Sequence, residues 1–225
     1  MKKELLAIVF VCFTSISWSQ IHEIGMFIGG TNYIGDVGST TYISPNKIGG
    51  SLIYKYNLNP RIALRGNISL LPLHGDDAAS SNEIRQSRNF NFDNSIKELA
   101  IGIEYSFFEY DMTSANQAYT PYILLEIAGF NYDSVSSEIT TGSYNLKTKI
   151  AYSIPVGIGF KGRLAEHIGF AIETRLNYTF RDDLDYTTKN ISSLNFGGNS
   201  NDWYMFSGFS LVYAFGRAAC YTEVR

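Results

Sequence analysis

Cysteine is nearly missing from this chain of 225 residues: only Cys12 and Cys220 are present, too few for the disulfide framework of a small secreted module. Histidine is equally scarce. His22, His74 and His167 are its whole supply, and none stands at metal-ligand spacing from another His or Cys, so no metal site is expected. A Gly-x-Ser-x-Gly nucleophile elbow does not occur. Positive charge is not in surplus either, with Lys+Arg 18 against Asp+Glu 21 and a formal net charge of -3, which excludes the basic face that a nucleic-acid partner requires. After the first twenty residues no apolar run approaches the roughly 20 residues of a transmembrane helix. A protein of this sequence in a membrane must therefore cross as a closed β-barrel, the other structure that satisfies its backbone groups in lipid.

What is present begins with the first segment. Lys2 and Lys3 form a basic start, Leu5 to Phe13 an apolar stretch too short to span a bilayer, and Ser17-Trp18-Ser19 places small residues where a signal peptidase cleaves. Residues 1–19 are expected to be a signal peptide and the mature protein to begin at Gln20. Cys12 is not preceded by the small residues of a lipoprotein site and should be lost with the signal. Residues 20–216 then form one barrel domain, followed by a periplasmic tail, 217–225.

Aromatics and glycine are abundant, with 16 Tyr, 15 Phe and 20 Gly, and mean hydropathy lies near zero. That composition suits strands with aromatic girdles at the membrane interfaces. Period-2 alternation supplies the strands themselves. Ile168, Phe170, Ile172, Leu176, Tyr178 and Phe180 alternate with His167, Gly169, Ala171, Glu173, Arg175 and Asn177. The same two faces recur around Tyr152 to Phe160, Leu99 to Phe107 and Ile62 to Leu70. Weaker segments lie at Glu23 to Tyr33, Ile48 to Asn57, Tyr119 to Tyr132 and Asp202 to Phe215. The expectation is all-β: an eight-stranded antiparallel up-and-down transmembrane barrel in the outer membrane of a Gram-negative cell, with both termini periplasmic.

Connection lengths fit short periplasmic turns and longer external loops. The loops fall at Asp36 to Lys47, Leu73 to Phe92, Asp133 to Lys149 and Arg181 to Asn201; the turns fall at Leu58 to Pro60, Phe108 to Ala118 and Gly162 to Glu166. Every predicted loop is longer than every predicted turn. Pro155 interrupts a predicted strand and implies a bulge or a later strand start, because proline lacks a ladder donor. The structural rival is a lipocalin-like soluble barrel, with the apolar face turned inward around a ligand.

An eight-stranded barrel is just wide enough for side chains to fill. The inward face should carry Lys55, Arg61, Arg65, Glu98, Glu104, Glu126, Lys161, Glu173 and Arg175, whose opposite charges can pair into a plug rather than a pore. No catalytic or cofactor-binding residue is expected. A Ser and His pairing such as Ser80 with His74 is the one enzymatic alternative. Asp182, Asp183 and Asp185, with Asp36, Asp76 and Asp77, cluster near the external loops without a complete calcium signature and read as a solvated rim. Cys220 is left unpaired in an oxidising compartment, as an idle thiol or as half of an intermolecular disulfide.

Four stretches carry a family resemblance. They are Gly29-Gly30-Thr31-Asn32-Tyr33-Ile34-Gly35-Asp36; Arg181-Asp182-Asp183-Leu184-Asp185-Tyr186; Asn201-Asp202-Trp203-Tyr204 with Phe206-Ser207-Gly208-Phe209; and Ala214-Phe215-Gly216-Arg217 before Cys220-Tyr221. In their order and spacing the chain resembles the DUF6089 outer-membrane barrel family of Bacteroidota, which includes the PorG component of type IX secretion. The resemblance implies a non-enzymatic membrane anchor or assembly factor for a periplasmic ring, with the ring lipoprotein and its partner as contacts and Cys220 as a candidate bond to the lipoprotein. The alternative is a stand-alone small barrel, acting as an adhesin or surface-stabilising protein through its loops, or less readily as a lipid-modifying enzyme.

Overall fold

The structure is a computed structural model and describes residues 22–39, 41–110, 119–140, 143–196 and 200–216. Eight strands run in chain order: β1 His22–Ile34, β2 Lys47–Asn57, β3 Ile62–Asp76, β4 Asn91–Ser106, β5 Tyr119–Thr140, β6 Ser143–Ala165, β7 Ile168–Thr179 and β8 Trp203–Phe215. Each pairs antiparallel with its neighbour in sequence, and β1 pairs with β8 from His22↔Phe215 to Ile34↔Trp203, so the sheet closes into a barrel with no exposed edge at its seam. The seam is tight. Gly29 faces Gly208 there, and a Cβ on either residue would meet the opposite strand's backbone at about 2.2 Å, so only glycine lets the two chains approach this closely.

The alternation predicted from sequence sets the two faces. Ile24, Met26, Leu52, Ile68, Ile101, Leu125, Ile158 and Phe209 are exposed on the outside. Their inward neighbours Glu23, Ser51, Asn67, Glu126 and Ser210 are buried. This arrangement is the reverse of the lipocalin-like alternative. Among the described residues no helix is long and apolar enough to cross a membrane, so any crossing falls to the strands.

The start of β1, the end of β8, the 58–61 connection, the end of β4, the start of β5 and the 166–167 turn lie at one end of the barrel; the end of β1, the 77–90 connection, the end of β5, the start of β6 and the start of β8 lie at the other. In the first turn the Asn59 side chain accepts from the backbone N–H groups of Arg61 and Ile62, an Asx arrangement that reverses the chain without a long loop. The 77–90 loop holds the helix α1, Glu83–Arg88, whose Asn82 cap accepts from the Ile84 and Arg85 amides and whose end is turned by Asn89 at φ 52.

Three sequence expectations are corrected. β5 and β6 continue past the rim to Thr140 and Ser143, so the expected loop Asp133 to Lys149 is a hairpin ribbon closed at 141–142, shorter than the 107–118 connection. Its apolar residues, Val135, Ile139 and Leu146, are interleaved with charged and hydroxyl residues, and pairing between two strands needs no continuous apolar face. β3 and β4 likewise extend to Asp76 and from Asn91, which shortens the expected Leu73 to Phe92 loop. Pro155 produces neither a bulge nor a strand start. β6 runs through it, paired with Asn177 of β7, and on the β5 side the ladder lapses between Leu125↔Val156 and Ala128↔Ser153 with its register kept. The missing donor costs a local pairing and shifts nothing.

Candidate functional site

Two layers fill the barrel. In the layer nearer the start of β1 and the end of β8, four cations (Lys55, Arg65, Lys161, Arg175) and five carboxylates (Glu23, Glu98, Glu104, Glu126, Glu173) are all buried. Glu104 joins three of the cations: its Oε1 lies 2.6 Å from Lys161 Nζ, and its Oε2 lies 2.7 Å from Lys55 Nζ and 3.4 Å from Arg65. Arg65 reaches across the lumen to donate both terminal nitrogens to Glu173, which also accepts from the Tyr122 hydroxyl at 2.6 Å. Arg175 donates to Glu126 at 3.2 Å, and Tyr204 donates to Glu98. Such pairing offsets the several kcal/mol per ion that burial costs.

Glycine makes room for these long side chains. Arg65 stands opposite Gly102, Arg175 opposite Gly157 and Glu173 opposite Gly159. A Cβ at Gly159 would lie 2.5 Å from the Tyr122 ring. The strands thus supply a charge on one side and a gap on the other, and the result is a closed plug.

Arg61 does not belong to this set. It precedes β3 in the turn after β2, so its side chain points along the end of the barrel, donating to Phe107 O at 3.0 Å and to Glu109 at 3.4 Å. The structure brings Lys55, Arg65, Glu98, Glu104, Glu126, Lys161, Glu173 and Arg175 together. Asn67, expected on the polar face beside Arg65, joins the network by donating to Glu126; sequence reasoning missed Glu23, Tyr122 and Tyr204, which share these faces and which parity alone would have found.

The second layer is apolar, which the expected polar interior did not include. Phe27, Ile53, Leu71, Leu73, Phe92, Ile96, Phe130 and Phe206 form one buried cluster with Leu184 from the 180–202 loop. Above it the loops fold into a cap. Asp77 is fully buried, accepting from Gly38 N and from the Arg88 guanidinium at 2.6 Å. Arg88 also donates to Asp36 O and lies 4.0 Å over the Phe196 ring, while Arg85 donates to the Gly35 and Gly38 carbonyls. Through Arg85 and Arg88, α1 thus helps tie three loops together.

Asp77, Asp183 and Asp185 are therefore built into the cap and not part of a solvated rim. Asp183 accepts from Tyr132, Ser134, Lys149 and Arg181 at 2.6 to 3.2 Å; burial opposes its ionisation, but these donors outweigh burial and hold it below the usual carboxylate range. Asp77 is held low in the same way, burial being outweighed by Arg88 and the Gly38 and Phe90 amides. Asp185 and Asp202 go the other way. Both are buried and both meet the Tyr33 hydroxyl; burial raises each, and the Asp185 charge raises Asp202 further. Asp76 caps the turn at Ala78 instead.

The family-motif residues gather here. Tyr33, Asp183 and Asp185 are cap donors and acceptors, Asn32 donates to Tyr42 O, and Trp203 packs edge-on against Tyr178 at the barrel surface. Gly35 has no room for a side chain, its Cβ position being filled by Tyr33 and Asp202. His74 binds Asp93 at 3.1 Å, and the Ser80 hydroxyl accepts from Asn82 N, so the two have separate partners. Among the described residues no group of three or more His, Cys, Asp and Glu is placed to hold a metal ion. Cys12, Cys220, the expected signal peptide and the expected tail lie outside the described residues.

A cavity of about 380 Å³ opens in the cap beside Asp36, Phe180, Asp182, Lys189, Leu194 and Phe196.

The barrel is similar to solved outer-membrane proteins. A major outer membrane protein from Thermus thermophilus matches at a TM-score of 0.51 with 11% identity, over 88% of this chain and 100% of that one. OprG from Pseudomonas aeruginosa matches at 0.50 with 12% identity, over 88% and 96%. Ail, the attachment invasion locus protein of Yersinia pestis, matches at 0.47 with 14% identity, over 88% and 99%. At these identities the likeness is one of fold. A search of curated proteins finds no match. The profile of a domain of unknown function, DUF6089, matches residues 2–224, nearly the full length, and the chain belongs to that family.

Proposed function

We propose that this protein is a non-enzymatic small barrel of the outer membrane that works through surfaces outside its lumen, chiefly the folded loop cap, as an adhesive or surface-stabilising protein. The observation that carries this reading is the combination of an apolar outer belt with a lumen cross-linked by buried ion pairs. A lumen filled in this way leaves no path for solutes, and a cap with its own buried acid, arginines and aromatic contacts is a built surface rather than slack loops. By this reading the cap faces the exterior and the chain ends face the periplasm. The experiment is reconstitution into planar bilayers together with protease protection on whole cells. Absence of discrete conductance, and cleavage of the 180–202 loop from outside, are the expected results; a steady channel would overturn the plugged barrel.

A second reading rests on family membership that reaches into the C-terminal segment and on the PorG-like motifs: the barrel anchors or assembles the periplasmic ring of type IX secretion. A plugged barrel suits an anchor and not a conduit for folded cargo. Mild-detergent purification of the tagged protein, with and without reductant and with Cys220→Ser, tests it. A ring lipoprotein that co-purifies favours this reading, and a reductant-sensitive adduct lost in Cys220→Ser would identify the contact. A partner-free, heat-modifiable monomer leaves the stand-alone barrel.

A further inference from the structure

The cavity in the cap has walls of two kinds. Phe180, Leu194 and Phe196 are apolar, and Asp36 and Asp182 bring carboxylates from two different loops. Asp183 and Arg181, also on the wall, satisfy each other. Asp182 and Asp36 do not behave this way. The Asp182 Oδ1 atom is buried without a hydrogen-bond partner. Asp36 contributes its backbone to the cap, donating to Tyr33 and accepting from Arg88, while its carboxylate takes no donor among the described residues.

A buried acceptor without a donor costs about 1–3 kcal/mol, and more when it is charged. Asp36 is half-buried and is not itself an orphan, but its carboxylate adds a second negative charge beside the same cavity and disfavours the ionised Asp182 further. Burial and the neighbouring Asp36 charge push the Asp182 carboxyl up, while Lys189 at the mouth offsets only part of this. A ligand that brings positive charge and N–H donors would relieve both carboxylates at once. Metal ions prefer a denser ring of oxygens than this, and the aromatic walls favour an organic body. At about 380 Å³ the cavity lies at the small end of ligand sites, which are concave, largely apolar and oriented by a few polar groups.

We propose that this cavity binds a small organic ammonium group, with the Asp36 and Asp182 carboxylates taking the cation and Phe180, Leu194 and Phe196 covering its apolar body. The ammonium has two sources with the same chemistry, a free amine or a lysine side chain of a peptide. This inference deepens the surface role given to the cap, but it is read on purified protein, so its failure leaves the plugged barrel untouched.

The experiment is an amide-shift titration of the folded, detergent-solubilised full chain with phenethylammonium, with 2-phenylethanol as the uncharged analogue, Gly-Lys-Gly as the peptide source and magnesium as a metal control. Saturable shifts confined to 180–196 and 35–38 are expected with phenethylammonium or Gly-Lys-Gly, the stronger of the two identifying the source. The alcohol should bind at least about tenfold more weakly, equivalent to about 1.4 kcal/mol. The same loss is expected for phenethylammonium on Asp36→Asn/Asp182→Asn, a variant whose fold is checked by heat-modifiable migration. Should that variant not fold, the single Asp36→Asn, which leaves the backbone bonds of Asp36 in the cap intact, carries the test. No saturation, equal binding of the alcohol, displacement by magnesium, or binding indifferent to the substitutions would overturn the proposal.

Discussion

The Tyr33 hydroxyl at the end of β1 lies 2.8 Å from an Asp185 carboxylate oxygen, across 152 residues of chain, and fastens the 180–202 loop to the barrel wall. The same hydroxyl meets Asp202. A phenol has one proton to donate, so two carboxylates around it are best served when one of them is itself protonated. Burial of the pair acts in the same direction, raising both acids.

That arrangement gives the cap a pH dependence of definite sign. Asp185 is raised to about 6, so the folded state binds a proton that the unfolded chain releases near pH 4; stability from this group is full below that point and is lost as pH rises through about 6. Asp36 from the 35–46 loop and Asp182 from the 180–202 loop add negative charge nearby and push the same way. Proteolysis of the 180–202 loop should be slower at pH 5.5 than at pH 8, after correction for protease activity. Asp202→Asn, which imitates the protonated acid, should slow cleavage at pH 8 and flatten the profile; an unchanged profile would remove the shared proton from the account.

Loss of Glu104 should be severe. Glu104→Ala leaves Lys55, Lys161 and Arg65 without a shared counter-charge, and breaking a buried pair in this way costs about 3–5 kcal/mol. The variant should lose heat-modifiable migration at a temperature well below that of the parent. Glu104→Ala/Lys55→Met, which removes one of the stranded cations, should recover part of the difference.

A charge on the outer belt should be penalised by depth. Leu125 pairs with Ile103 and Val156, all three exposed and apolar. Leu125→Arg should cost about 2–4 kcal/mol if it sits near the bilayer midplane, measured as folding into lipid vesicles. Ile139→Arg, on the ribbon beyond the rim and 59% exposed, should cost nothing measurable. Equal penalties would mean that the belt is not in lipid.

The ribbon itself should be dispensable to the barrel. β5 last pairs with β4 at Asn131, and β6 first pairs with β7 at Ser153; Tyr132, Ser134 and Lys149 fasten the base of the hairpin to Asp183, and Asn94 fastens it at Asp133, while 136–147 beyond that base is held mainly by its own two strands. Replacing 136–147 by a short Gly-rich turn should leave the unfolding midpoint of the barrel within experimental error. A drop comparable with that of Glu104→Ala would show that the ribbon supports the cap.

Much of this architecture was legible in the sequence. The eight strands, their starting points at His22, Ile62, Tyr119 and Ile168 within a residue or so of expectation, and the outward rows around Leu99 to Phe107 and Tyr152 to Phe160 follow from period-2 alternation. Side chains on a strand have only two directions to take, so the pattern carries the faces with it. Arg61 failed because parity has meaning only inside a strand, and its residue lies just before one. The 133–149 ribbon failed because its few apolar residues, Val135, Ile139 and Leu146, stand among charged and hydroxyl residues and make too short a row to announce a strand.

The chain by itself determined the strand period, the number of strands and which residues share a face, since these depend on neighbours two residues apart; which of the two faces turns inward took the closed barrel to decide. Only the tertiary structure decided that Arg65 pairs with Glu173, 108 residues away, that Tyr33 meets Asp185 and Asp202, and that the loop acids are built into a cap instead of lying in water. Those contacts exist because closure of β1 on β8 brings distant strands to opposite walls of a narrow lumen, and no local periodicity encodes what stands across it.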